Sequence, residues 1–415
     1  MPVNEKDQCL TPGLKAVEST IADLITSITK LPDIEVVETN NLLDRITAEP
    51  IRCPFDFPSW PASAMDGYAF NYQSDASNSP LTIVGKALAG HPFTGSVGHN
   101  ECVTITTGAP LPTGTDTVEM QENCSVSNAG VILKAPVKAA QHVRHIGSSI
   151  KAGQTLIPAG VKIGPKEQAI VASSGIAQAK VFKPLTIAVF TTGDELVAPG
   201  QSLQPGQIYD SNRLTMISMC QRMGYNTIDY GLVADNPDEI KRLMLEAANS
   251  AEVVMTSGGV SVGEADFIKP VLEEIGEIDV WKVAIKPGKP LAIGRIGDCQ
   301  FFGLPGNPVS TIVTLNQVVQ PALQKLSGQQ VSTAVRFKAI CVSELRKSPG
   351  RRDYQRGFAE INEEGKWQVT STGPQGSGRL ASVSQANCYI ILAPENTGVK
   401  AGEAVTIELF DQSLS

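Results

Sequence analysis

Several glycine- and proline-rich turns in this sequence carry residue types that could hold an anion and a cation side by side. In TSGGVSVGEAD an apolar run ends in Ser257, Gly258 and Gly259, with Asp266 just before a helical stretch. So bare a backbone lets N–H groups approach a phosphate closely, with a helix N-terminus beyond. GLPGNPVS offers a second such cradle: Pro305 and Pro308 restrict the chain, the following helix presents N–H groups, and Ser310 adds a hydroxyl. WKVAIKPGKP gathers Lys282, Lys286 and Lys289, with Lys282 and Lys286 on one side of an extended run. TTGDEL ends another apolar run with Asp194 and Glu195, and Asp235 ends a third. Nearer the N-terminus, PSWPASAMDGYAF puts Asp66 on a turn and ITTGAPLPTGTD puts Thr107 on another.

Each feature alone has a plainer reading. The glycines make a tight turn, Asp235 and Asp266 cap helices, and the lysines blunt a strand edge. Side by side they pose a charge problem. If the strands run parallel, Glu195, Asp235 and Asp266 meet at the rim that holds the Gly-rich turn. Carboxylates there would repel a phosphate unless a cation lay between, and oxygen donors bridging phosphates suit Mg²⁺.

The elements that must position these residues follow from periodicity. TIAVFTTG reads as a buried strand and TIDYGLV and EVVMTSGG as further strands, alternating with helices over 211–223, 237–248 and 266–275, so a parallel sheet covered by helices is expected. Ile240, Leu243, Met244 and Ala247 recur at helical spacing behind Pro237. A longer helix follows GLPGN, with Pro321 expected to kink it. Leu14, Val17, Ile21, Leu24, Ile25 and Ile28 predict an amphipathic first helix, and 165–174 predicts another. From 54 to 142 short β-rich runs dominate. After 334 the runs FKAICVSEL, WQVTSTG, CYIILA and AVTIEL predict a terminal barrel or sandwich.

The 415 residues exceed one core, and 42% hydrophobic with 18% charged residues is globular composition. A net charge of -8 argues against nucleic-acid binding through phosphate neutralisation, so any anion must meet a local positive pocket. No run approaches the length of a membrane span and no basic-apolar leader opens the chain, so a cytoplasmic protein is expected. The eight cysteines are scattered without C-x-x-C spacing and read as buried thiols. His142 and His145 form an H-x-x-H pair short of a metal site's ligand number.

SAMDGYA, TGAPLP, TTGDEL, QIYDSNR, SGGVSVGEAD, IKPGKP and GLPGNPVS, in order over nearly the whole chain, closely resemble the MoeA family, whose eukaryotic relatives form the E domain of gephyrin. The resemblance implies an elongated homodimer of four-domain subunits. With the periodicity it gives a multidomain α/β plus β fold: a central three-layer α/β domain of molybdopterin-binding type with a mainly parallel sheet over 183–330; a small β-domain over 54–146; a discontinuous helical and extended domain of 1–53 with 147–182; and a C-terminal β-barrel over 331–415. The α/β domain would be similar to molybdopterin-adenylyltransferases, one of which is a candidate partner. The cleft would lie between the α/β domain of one subunit and the N-terminal domains of the other.

The implied activity is insertion of molybdenum from molybdate into adenylylated molybdopterin, with Mg²⁺-dependent release of AMP. By the same resemblance Asp235 and Asp266 match metal-associated positions, and Glu195, beside Asp194, matches a carboxylate needed for function. Lys282, Lys286 and Lys289 match basic cleft residues. Ser310, Arg356 and Ser377 match an anion or molybdate pocket, with Arg351 an alternative to Arg356 because GRRDYQRG holds both. Asp66 and Thr107 match positions contributed by the partner subunit. One departure stands out: Ser149 in RHIGSSIKAG occupies a place where the family commonly has an acid, so no acidic contact across the cleft is carried over. A carrier of cofactor or molybdate, or a gephyrin-like scaffold, is the rival reading. Carboxylates in the pocket favour the enzyme, since passive anion storage gains nothing from them. Tungstate and molybdate are too alike in shape and charge for sequence to separate.

Overall fold

The structure is a computed structural model that describes residues 13–73, 79–259, 267–411 and 413–414, so Asp266 lies outside the described residues. A six-stranded sheet forms its centre. Thr186–Thr192 lies between Asn226–Val233 and Val253–Ser257, and Cys299–Leu304 follows; these four run parallel. Pro290–Ile296 and Glu277–Lys282 complete that edge antiparallel. Val253–Ser257 and Cys299–Leu304 are buried throughout; the first was expected from its apolar run, and the second was not among the expected strands.

Alternate residues of these strands feed two cores. Ile187, Val189, Val253 and Met255 pack with Met216 and Met219 of helix Asn212–Arg222 and with Val309 and Val313. Ala188, Phe190 and Val254 pack with Ile240, Leu243 and Met244 of helix Pro237–Ser250 and with Ile268 and Leu272 of helix Ile268–Ile275. Asn236 caps the Pro237 helix, accepting from the Asp238 and Glu239 backbone N–H groups at 3.0 and 3.2 Å. The capping role considered for Asp235 therefore falls to its neighbour.

The long helix after GLPGN runs from Pro308 to Leu326 but contains a π-helical stretch, Leu315–Val319. The irregularity expected at Pro321 thus sits just upstream, where a ring without an N–H and in conflict with the carbonyl four residues back requires it.

The first helix, Val17–Ser27, packs Val17 and Leu24, together with Ile28, into the same core as Val318, Val319 and Leu323. Expected with the discontinuous N-terminal unit, it is attached by packing to the α/β unit instead. Just before it, Lys15 is bonded through its backbone to Lys282 and Ala284. Further along, Ile34–Glu38 pairs with Gln178–Phe182, and Ile51–Arg52 with Thr155–Ile157, around Leu42, Ile163, Val171 and Val181. Between them a four-stranded sheet sets Gly67–Phe70 between Glu101–Ile105 and Thr117–Met120, with Thr82–Ala87 outside.

At the C-terminus a barrel closes in the order Arg352–Ile361, Trp367–Ser371, Arg336–Cys341, Ala404–Leu409, Cys388–Leu392 and back to Arg352–Ile361. The strand Arg352–Ile361 closes it, and this strand is absent from the sequence expectation. Among the described residues no helix is long and apolar enough to cross a membrane. Among the described residues all seven cysteines are buried free thiols, and burial pushes Cys102, Cys220, Cys299 and Cys388 up to about 12.

Candidate functional site

Ligands of open α/β sheets bind beyond the carboxyl ends of the strands. Here Thr192 ends the first of the four parallel strands, Asp235, Gly258 and Pro305 follow the ends of the others, and all four line one cleft of about 1000 Å³. That is the upper end of the range for small-molecule sites, roughly 300–1,000 Å³. Glu195, Lys286, Lys289 and Ser310 face the same space, and the barrel adds Arg351 and Ser377.

The turn after Val253–Ser257 is built for close approach. Gly258 has φ +98°, and a Cβ there would run into the Thr192 carbonyl, so only glycine fits. Ser257 does not line the cleft; its buried hydroxyl donates to the Pro305 carbonyl at 2.9 Å and accepts from the Asn212 amide at 2.8 Å. The same Asn212 nitrogen donates to the Gly306 carbonyl at 2.7 Å. Asn212 therefore fixes both anion cradles relative to each other. Pro308 opens the helix without lining the space, while Thr311 donates to the Pro305 carbonyl at 2.6 Å.

On the acidic side, Asp235 accepts from the Thr192 hydroxyl, and the Asp194 and Asp235 side chains each accept from the other's backbone N–H at 3.2 and 3.4 Å. Asp194 thus braces Asp235, while Glu195 and Asp235 face the cleft. On the basic side Lys282 stays outside the lining, at the end of its strand.

The two candidate arginines separate. Arg351 lines the cleft and bonds the Ile285 carbonyl at 3.4 Å. Arg356 is fully buried and donates to Tyr354 and Ser382 at 3.2 Å and to the Gly376 carbonyl at 3.5 Å. Burial pulls its guanidinium below the usual arginine value. Gln375 reinforces that contact: its side-chain amide accepts from the Arg356 N–H at 2.7 Å and donates to the Arg356 carbonyl at 3.0 Å. Arg356 and Gln375 hold the loop that brings Gly376 and Ser377 to the cleft.

Asp66 and Thr107 lie outside this cleft, paired with each other. The Asp66 carboxylate accepts from the Thr107 backbone N–H at 2.7 Å and hydroxyl at 2.9 Å, and these two bonds hold its pKa below the usual range. Ser149 is exposed, with its N–H on the Phe57 carbonyl at 3.1 Å. Sequence reasoning missed Asn212, Thr192 and Gln375. Asn212 stood in QIYDSNR without a role, and nothing near it in sequence shows the two loops it joins.

Comparison with known proteins agrees along most of the chain. Residues 15–175 match the MoeA N-terminal region (domain I and II), 188–325 a probable molybdopterin binding domain, and 338–410 the MoeA C-terminal region (domain IV). A molybdopterin molybdenumtransferase of Haemophilus influenzae is 44% identical over 382 residues, covering 92% of this chain and 95% of that protein. Gephyrin of Dictyostelium discoideum is 31% identical over 426 residues, covering 90% of this chain and 59% of that relative. The crystal structure of a molybdopterin biosynthesis MoeA protein from Pyrococcus horikosii superposes with a TM-score of 0.79 at 30% identity, over 96% of this chain and 99% of that one. With three family regions matched in order and whole-length relatives above 30% identity, the chain belongs to the MoeA family of molybdopterin molybdenumtransferases, enzymes of molybdenum cofactor biosynthesis.

Proposed function

We propose that the chain inserts molybdenum from molybdate into adenylylated molybdopterin and releases AMP in a Mg²⁺-dependent step. One observation carries this reading: two carboxylates, Glu195 and Asp235, share a cleft with Lys286, Lys289, Arg351 and two backbone anion cradles. A neutral ligand needs neither set of charges, and a plain anion gains nothing from the acids. The substrate class comes from the relatives, which are named molybdopterin molybdenumtransferases.

The donor set suits Mg²⁺. Among the described residues no three His, Cys, Asp or Glu side chains form a metal cluster, so the chain supplies Glu195 and Asp235, with Asp266 the further expected ligand. Mg²⁺ is commonly held by one or two carboxylates, with phosphate oxygens and water completing the shell. Asp235 retains free lone pairs after accepting from Thr192. When bound, the metal would neutralise charge at the phosphoanhydride that breaks.

The chain's own residues position and stabilise. Backbone N–H groups around Gly258 and Gly259 cradle a phosphate, and Lys286 and Lys289 offset the charge that develops as water attacks the phosphoanhydride and AMP leaves. Arg351, Ser310 and Ser377, which line the cleft together, form a donor pocket for molybdate at the seam between sheet and barrel. Positioning supplies much of the catalysis, and no covalent nucleophile is required. Asp66 and Thr107 act on the cleft of the partner subunit in a cytoplasmic homodimer, since within one chain they lie outside the lining. A molybdopterin-adenylyltransferase would deliver the substrate. The test is incubation with adenylylated molybdopterin, Mg²⁺ and molybdate: molybdate-stimulated AMP release with cofactor formation is expected, and its absence would favour the carrier reading.

A further inference from the structure

Lys286 does not reach the cleft wall unaided. Its short strand, Ile285–Lys286, pairs in parallel with Arg352–Ile361 of the barrel, which sets Lys286 opposite Asp353. The two side chains form an ion pair at 3.1 Å, with 38% of Lys286 exposed but only 2% of Asp353. The same Asp353 oxygen accepts from the Gln355 amide at 3.2 Å, and that amide is fixed on the Arg346 carbonyl at 3.0 Å. Lys347 lies close enough to be attracted by Asp353 and repelled by Lys286 and Arg351, and its buried ammonium is bonded to the Ser348, Pro394 and Asn396 carbonyls. One buried carboxylate therefore interacts with Lys286, Lys347 and Arg356, and of these Lys286 is the one that forms an ion pair with it while lining the cleft.

A buried carboxylate is costly unless paired, so Asp353 pulls hard on the ammonium that answers it. An ammonium has three donors and can reach Asp353 and a ligand together. We propose that Asp353 is a positioning residue for Lys286: from the barrel it fixes the ammonium at one point of the cleft wall and spares part of its charge until the anionic substrate arrives. This rests on the reading of the cleft as a phosphate site.

The pairing has opposite effects on binding and turnover. Asp353 competes with a ligand phosphate for the ammonium, so ground-state affinity is lower than a free lysine would give. It also holds the donor where transition-state charge develops, so turnover is higher. Removing the carboxylate while keeping its shape lowers KM and kcat together. A purely structural role would not produce that split, nor make it depend on Lys286.

The experiment places Asp353→Asn in wild-type and Lys286→Met backgrounds and measures inorganic pyrophosphate binding by calorimetry and AMP release by steady-state kinetics. Asp353→Asn is expected to bind pyrophosphate about threefold tighter or more, as expected for removing one nearby anion. Its kcat should fall about tenfold, the scale of a misplaced donor. Both effects should vanish when Lys286 is already methionine. Asp353→Glu, with the charge on a longer arm, should restore wild-type pyrophosphate affinity but only part of kcat, and it replaces Asp353→Asn in the cycle if that variant does not fold. Equal losses in both backgrounds with unchanged pyrophosphate affinity would overturn the proposal. Coupling in pyrophosphate binding without AMP release by the wild type would uphold the positioning role and sink the functional reading instead.

Discussion

Val309 donates its backbone N–H to the Ser377 carbonyl at 3.1 Å, and this bond ties the helix N-terminus of the α/β unit to a loop of the C-terminal barrel. The N–H is one of the orphan donors at the start of the Pro308 helix, so the barrel completes the end of a helix it does not contain. The proposed oxyanion pocket of Ser310, Arg351 and Ser377 lies along this seam, with donors from both units.

Asn212 holds the two anion cradles in register, so Asn212→Leu should loosen both. Its amide donates to the buried Ser257 hydroxyl and to the Gly306 carbonyl, and leaving the Ser257 hydroxyl without that donor costs about 1–3 kcal/mol in stability. Urea unfolding reads the loss, and AMP release should fall further than the remaining folded fraction explains. A variant of wild-type stability and turnover would show that the loops hold their places without it.

Asp235 is expected to bind the metal and not to cap the helix after it, because Asn236 already does that. Asp235→Asn should therefore raise the Mg²⁺ concentration for half-maximal AMP release by about tenfold or more, the scale seen when metal sites lose support. Helix content and melting temperature should hardly change. A large loss of stability with an unchanged Mg²⁺ titration would assign Asp235 a structural role.

The Asp66 carboxylate is held below its usual pKa first by the Thr107 backbone N–H and then by the Thr107 hydroxyl. A group whose folded pKa is depressed contributes stability above its unfolded value and loses it as pH falls through the folded value, so this turn weakens only below about pH 4. Thr107→Val removes the second bond and keeps the first. An NMR titration should show Asp66 moving part of the way back up, still fully ionised at neutral pH. No upward movement would mean that the hydroxyl bond is not formed in solution.

How much of this could be read in the sequence depended on burial and distance. Thr186–Thr192 and Val253–Ser257 were legible because a strand covered on both faces is largely apolar, whereas Cys299–Leu304, which carries the buried Gln300, was not among the expected strands. Arg352–Ile361 was not, because Asp353, Gln355 and Arg356 are buried within it and leave neither an alternating nor a continuous apolar pattern. The same polar interior explains why sequence could not choose between Arg351 and Arg356: only the fold shows one facing the cleft and the other spent on Tyr354, Gly376 and Ser382. The first helix was recognisable from its apolar stripe, but a stripe does not name its partner, and Val17 and Leu24 meet residues roughly three hundred positions away. The glycine, proline and carboxylate turns of the site were visible as motifs. The bonds that align them were not, since Asn212 reaches residues 45 and 94 positions on.

The most direct measurement is AMP release from adenylylated molybdopterin by the purified wild-type protein, with Mg²⁺ present and molybdate either added or withheld. If the cleft joins a metal, a pyrophosphate and an oxyanion in one reaction, release is Mg²⁺-dependent, rises when molybdate is added, and runs in proportion to cofactor formed. Release that ignores molybdate, or none under any condition, would contradict that union.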